Sequence, residues 1–319
     1  MEKENEMQQT NEVPQSTDDI SHIFDKTFKK ILTLSSTAVI NLVNGLFDTN
    51  YPTESTITYN WTEFVDKNLK HILADTIITI NGVCSYHMEA QMTTDADIVL
   101  RVFEYGYSHA NRNAQKERNS HKIIFPEPKI IYLYSDSPAP DDYLLELDFG
   151  TQGSFYYHVP TFKFLETSTE ELNRKKLVIL IPFSLLKLRK SMQKECSKEN
   201  LEALKNLIQN DIIGSINENL LVGNITEYDA RILKRLTHKL YLHIYSHYKE
   251  LEEVTEMTDE SFLLDIEIME KEHQKELAEM QAEKDAALAE KDAVLAEKDA
   301  ALAEISLLKK KLEEAGIAL

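Results

Sequence analysis

The sequence predicts an α/β fold with an acidic N-terminal segment and a long helical tail, on three observations. Helical and β-rich patterns are interspersed between residues 21 and 250. The residues before that stretch lack apolar periodicity, and those after it contain a short repeat. A chain of 319 residues, 42% hydrophobic and 8% aromatic, has room for a sizeable core plus appendages.

The elements follow in chain order. Residues 1–20 are polar and acidic and read as disordered. Residues 22–46 read as helical, with Phe24, Phe28, Ile31 and Leu32 at helical spacing, and a second helix or turn over 37–47. Pro52 breaks the chain before "TITYNWTEF" (56–64), a strand by its β-formers. "ADTIITINGVCSYHMEAQM" (74–92) reads as two strands joined at Asn81-Gly82. Residues 94–113 form a helix, with Thr94 as its cap and Asp95 and Asp97 at the positive end of its dipole. Ile98, Val102 and Tyr105 lie along one side of it. Strands are predicted over 127–135, 143–149 and 156–166, with a short apolar strand at 177–181 and a helix after Pro182. Residues 197–250 are helical, with Ser197 as one cap and Thr226 with Asp229 as a cap pair.

The tail differs in kind. "AEKDAALAEKDAVLAEKDAAL" (282–302) is three copies of a seven-residue unit rich in helix formers. Ala301, Ile305, Leu308, Leu312 and Ala315 follow coiled-coil spacing, and the same seam carried backwards meets Lys298, Lys291 and Lys284. A self-associating helix and a solitary solvated one both fit this pattern.

Charge is distributed unevenly. Residues 1–20 hold six acids and one base, residues 251–319 twenty acids and eight bases, and the middle 28 acids and 26 bases. The net charge of −19 therefore belongs to the ends, and a nucleic-acid-binding face in the middle is not excluded. Basic clusters there are Arg112/Lys116/Arg118/Lys122, Arg174/Lys175/Lys176, Lys187/Arg189/Lys190 and Arg231/Lys234/Arg235; each also reads as an ordinary solvated face. Cys84 and Cys196 are the only cysteines and read as reduced thiols. No apolar run approaches the ~18 residues of a spanning helix, and the N-terminus has the marks of neither a signal nor a transit peptide. A soluble, cytoplasmic protein without a membrane partner is expected. His243 and His247 have a metal-compatible spacing, without the acidic pattern of a zinc protease, and read as packing or surface residues.

The hairpin carries the chemistry. By strand parity Cys84, Tyr86, Met88, Ala90 and Met92 face one way, and Ser85, His87, Glu89 and Gln91 the other. A two-residue turn would set Asp75 opposite Met88, on the apolar face. A three-residue loop or a bulge sets Asp75 opposite Glu89, and Gly82 makes such a loop credible. Two carboxylates with the amide oxygen of Gln91 suit a hard divalent cation such as magnesium. That is equipment for phosphodiester hydrolysis, although acid pairs on hairpins are also ordinary exposed strand residues.

Asp75, thirteen residues, then Glu89-Ala90-Gln91 resembles the D…(D/E)-x-K core of restriction-endonuclease-like nucleases in its E-x-Q form. Asp25-Lys26-Thr27-Phe28-Lys29, the pair Arg101 and Tyr105, and "PKIIYLY" resemble features of one branch, the PD-(D/E)XK nuclease family transposases or recombination-promoting nucleases. The resemblance spans roughly 21–250. It implies a mixed sheet of four or five strands flanked by helices. The divisions expected are a disordered 1–20, a nuclease core at 21–166, a strand plus helical extension at 167–250, and a long coiled-coil helix at 251–319.

The resemblance further implies a magnesium-dependent DNA endonuclease linked to recombination or mobile elements. Asp75 and Glu89 would be its metal-binding acids and Gln91 would stand at the usual lysine. Glutamine can orient water or coordinate, but it cannot act as a cation or base. Asp25 and His87 are accessory candidates, as are Arg101 and Tyr105, which could hold a phosphate or lock the helix to the sheet. Lys29, Arg112, Lys116 and Arg118 are the DNA-binding candidates, and the tail a route to a homodimer. The alternative is a catalytically silent nuclease-fold interaction protein oligomerised by that tail.

Overall fold

The computed structural model describes residues 17–65, 71–135 and 138–246, with Tyr248, Leu251 and Val254; the side chains of 17–22 and 60–75 are outside that description. Of the expected disordered start over 1–20, residues 1–16 lie outside the described residues, as does the repeat tail, whereas 17–20 are helical, the first residues of a helix that begins at Thr17.

Two helices open the chain, α1 (Thr17–Ile31) and α2 (Ser36–Phe47). They are bent 108° apart at the break between them. Ser35 caps α2 by accepting from the Ala38 N–H, and Asp48 closes it in the left-handed region. The apolar positions Phe24, Phe28, Ile31 and Leu32 are all buried.

Three antiparallel strands follow, β1 (Ile57–Val65), β2 (His71–Ile80) and β3 (Cys84–Gln91). Helix α3 (Ile98–Arg112) then crosses to a small hairpin, β4 (Gln115–Lys116) with β5 (His121–Lys122), and to β6 (Glu127–Tyr132), which runs parallel to β3. β7 (Asp142–Asp148) and β8 (Ser154–Lys163) form an antiparallel hairpin, with β8 inserted parallel to β6. The result is a six-stranded mixed sheet of order β1-β2-β3-β6-β8-β7, larger than the four or five strands expected.

Both faces of the sheet are covered along β3 and β6, while Leu144, Phe155 and Tyr156 of the β7–β8 hairpin are exposed. Phe47 of α2 packs on Tyr86, and Lys129 donates to the Leu46 carbonyl, setting a cation at the negative end of α2. On the other face α3 buries Ile98, Val99 and Val102 against Ile130, Tyr132, Tyr157 and Val159. β3 is thus an interior strand, with Tyr86, His87, Met88 and Glu89 all buried. The expected division of this strand into a core face and an open face holds only in parity.

Residues 177–181 do not form a strand. Val178–Leu188 winds as a long run of 3-10 turns containing Pro182, with Val178 through Leu186 buried. A short apolar run has no period that separates a buried strand from a buried helix. Around it lie α4 (Thr169–Arg174), α5 (Arg189–Lys194), α6 (Lys198–Asn206), a π-helical stretch Leu207–Gly214, α7 (Ser215–Leu221) and α8 (Glu227–Tyr245). Ser197 caps α6, and Thr226 with Asp229 forms a capping box on α8. Thr94 does not cap α3: the cap residue is Asp97, whose N–H is bound by the Asp95 carboxylate. Among the described residues no single helix is long and apolar enough to cross a membrane; the bent pair Ile23–Ile31 with Ser36–Phe47 reaches that length and composition only together.

Candidate functional site

The hairpin register decides which residues meet. Asn81 and Gly82 both take positive φ, 53° and 66°, and the Val83 N–H donates to the Ile80 carbonyl at 3.0 Å. Ile80 pairs with Cys84, so the loop holds three residues, Asn81, Gly82 and Val83. The ladder ends at Thr76 against Met88; carried one pair further, the same register would set Asp75 against Glu89, although the β1–β2 ladder slips between Thr76 and Leu73. The side chain of Asp75 is outside the described residues.

Glu89 lies near the C-terminal end of β3 and is 2% exposed. Gln91, two residues on and on the same face, donates Nε2–H to its Oε1 at 2.9 Å. Arg101, in the first turn of α3, reaches that oxygen at 3.5 Å and binds Asp95 at 2.8 Å. Arg101 therefore bridges two carboxylates, one buried and one half-exposed. Asp95, legible in the sequence only as a helix-dipole residue, belongs to this cluster. Its main chain also reaches the Tyr132 hydroxyl, which meets the Tyr143 hydroxyl at 2.7 Å; burial foremost, then Tyr143, pushes the Tyr132 phenol up.

His87 is packed edge-on against Tyr105 and is fully buried. Its Nε2 stands 4.0 Å from Glu89 Oε2, and neither ring nitrogen has a hydrogen-bond partner among the described residues. Desolvation, with the neighbouring His109 adding, lowers its pKa to about 4. His87 is thus neutral in ordinary buffers, and Tyr105 serves in the seam between helix and sheet. Asp25 pairs with Lys29 on its own helix at 3.0 Å.

Two contacts fix the direction of α3. Arg101 meets Glu89 at one end of β3, and His109 meets Ser85 at the other. Arg112 is eleven residues beyond Arg101, about 16 Å along the helix axis. Arg112, Lys116 and Arg118 are exposed at that far end, around the β4–β5 hairpin. The fold does not gather them beside Glu89.

Other cations stand at the Glu89 end. Gln91 pairs with Tyr132 and Tyr132 with Lys163, in one row across three parallel strands. Residues in such a row share a face. Sequence reasoning missed Lys163; its only signal is a lysine ending an alternating strand. Compared with protein-family models, curated proteins and solved structures, the chain matches none. Among the described residues no group of three His, Cys, Asp or Glu side chains could hold a metal ion.

Proposed function

We propose that this chain is a metal-dependent DNA endonuclease with a restriction-endonuclease-like core, acting in recombination or mobile-element biology. The observation that supports the reading is the three-residue loop at Asn81–Val83, whose register, extended one pair beyond Thr76–Met88, would set Asp75 opposite Glu89. The donor set fits magnesium or another hard divalent cation: a buried strand-end carboxylate, a second carboxylate in register and an amide oxygen on the same face. Asp75 and Glu89 would hold it. Such a cation acidifies water and neutralises charge on the phosphate under attack.

The chain's own residues do the rest. Gln91 orients water through its amide, having no charge to offer. Arg101 screens Glu89 until substrate arrives, then turns its planar fork to a phosphate. Neutral His87 and Tyr105 keep the inner wall dry. The repeat over 282–302 supports a dimer that would bring two such sites to one duplex.

A second reading has its own observation. Gln91 and Arg101 both occupy Glu89 Oε1, an arrangement that also suits a catalytically silent interaction module. Supercoiled plasmid separates the two. The full chain should nick it in Mg²⁺ but not in EDTA, and Asp75→Ala should lower the rate by about a hundredfold or more, as loss of a transition-state electrostatic group does. Plasmid left equally intact by both proteins would give the silent module the lead.

A further inference from the structure

A cavity of about 300 Å³ opens at the C-terminal ends of β6 and β8, lined by Tyr132, Ser135, Pro138, Leu165, Lys163 and Lys190, among others. We infer that this cavity is a nucleotide subsite, in which Lys163 and Lys190 hold a phosphate and the apolar wall receives the base or sugar. The inference rests on the nuclease reading for its place beside the cut, and extends it to how the strand is held.

Position is the first argument. In open sheets the crevice at the carboxyl ends of parallel strands is where ligands bind. Gln91, Tyr132 and Lys163 end three adjacent parallel strands in one row, so Lys163 is two strand spacings, about 10 Å, from Gln91. That is on the order of one to three nucleotide steps, at 3.4 Å of rise per base along a duplex strand. A phosphate on Lys163 would therefore lie close along the strand from one at Glu89.

Chemistry is the second. The Gln91 position supplies no cation, and the clusters around Arg112 lie at the opposite end of β3. Lys163 and Lys190 supply positive charge at the near end. Lys163 holds Asp141 at 2.7 Å, but that carboxylate is 94% exposed, and such pairs contribute little. A phosphate can take the place of Asp141 without leaving a buried charge behind. Glu166 on the rim disfavours a bare anion and suits a ligand that also offers hydrogen-bond donors, as a nucleobase does.

The test uses the full chain in EDTA, so that cutting plays no part, with thymidine 3′,5′-bisphosphate in isothermal titration beside thymidine and inorganic phosphate alone. Wild type is expected to bind the bisphosphate more tightly than either fragment. Lys163→Gln and Lys190→Ala, each checked by its thermal melt, are each expected to weaken binding by about tenfold or more, one charge-assisted contact apiece. Absence of binding, unchanged affinity in both folded variants, or equal affinity for thymidine or inorganic phosphate would overturn the subsite. A chain that binds in this way but leaves plasmid whole would lose the nuclease reading and keep the subsite.

Discussion

The imidazoles behind the site make the fold sensitive to acid. His87 is held at about 4 by burial, and His109 is also lowered, first by burial and then by Arg112. In the unfolded chain both take up protons near 6.5. Below that value the unfolded state binds more protons than the folded one, so stability is full above pH 6.5 and declines as pH falls toward 4. For His87 the slope is about 1.4 kcal/mol per pH unit in that window. Urea midpoints in EDTA between pH 7.5 and 5 should fall less steeply in His87→Phe than in wild type; parallel curves would sink the assignment.

Asp229 is the other residue whose surroundings dictate a large effect. It is fully buried and accepts from the Ser35 N–H and hydroxyl and from the Thr226 N–H and hydroxyl. One carboxylate therefore satisfies the starts of α2 and α8 together. Asp229→Ala removes a cap and leaves buried donors unmet, and should lower stability by about 2–4 kcal/mol in denaturant titration. A loss below about 1 kcal/mol would mean that water replaces the carboxylate.

Among elements, the β2–β3 hairpin was the most legible. Asn81-Gly82 announced a turn, and a site built from the two acids called for an odd loop or a bulge; Ile80 against Cys84 gives the odd loop. Gly82 has φ of +66° with open space around a built Cβ, so Gly82→Ala should cost only the left-handed strain, about 1 kcal/mol in thermal unfolding. A much larger loss would mean that the loop itself is remodelled. What sequence could not reveal was the cover over β3. Ser85 and His87 look like outward polar residues, yet they face His109 and Tyr105 of α3. Lys163 and Asp95 were hidden for a related reason: they join the site through lateral pairing and a turn, which one-dimensional spacing does not record.

On the scale of the whole molecule, the segment after the sheet packs back onto its beginning. Phe183 of the 3-10 run meets Phe24 of α1, and Gly45 of α2 faces Lys175 and Leu177. A Cβ at Gly45 would lie 2.3 Å from the Lys175 carbonyl oxygen. Gly45→Ala should therefore destabilise by about 2 kcal/mol or more, despite alanine's better helix propensity, because backbone must shift. Calorimetry showing an unchanged or raised melting temperature would contradict this packing. The α/β class was legible from the mixture of patterns. All six strands were legible as strands, but not their union in one sheet, nor the 3-10 run, because sheet membership and the winding of a buried apolar run are decided by neighbours far along the chain.

The bond between Ser35 and Asp229 has a further meaning during synthesis. Its partners are 194 residues apart in the chain. At roughly 5–20 residues per second, α2 emerges some 10–40 s before the carboxylate that completes its cap. Throughout that interval the start of α2 lacks its buried carboxylate partner. The apolar faces of α1 and α2 are covered in stages as Tyr86, Leu177 and Phe183 emerge, and the start of α2 is completed last, when α8 brings Asp229.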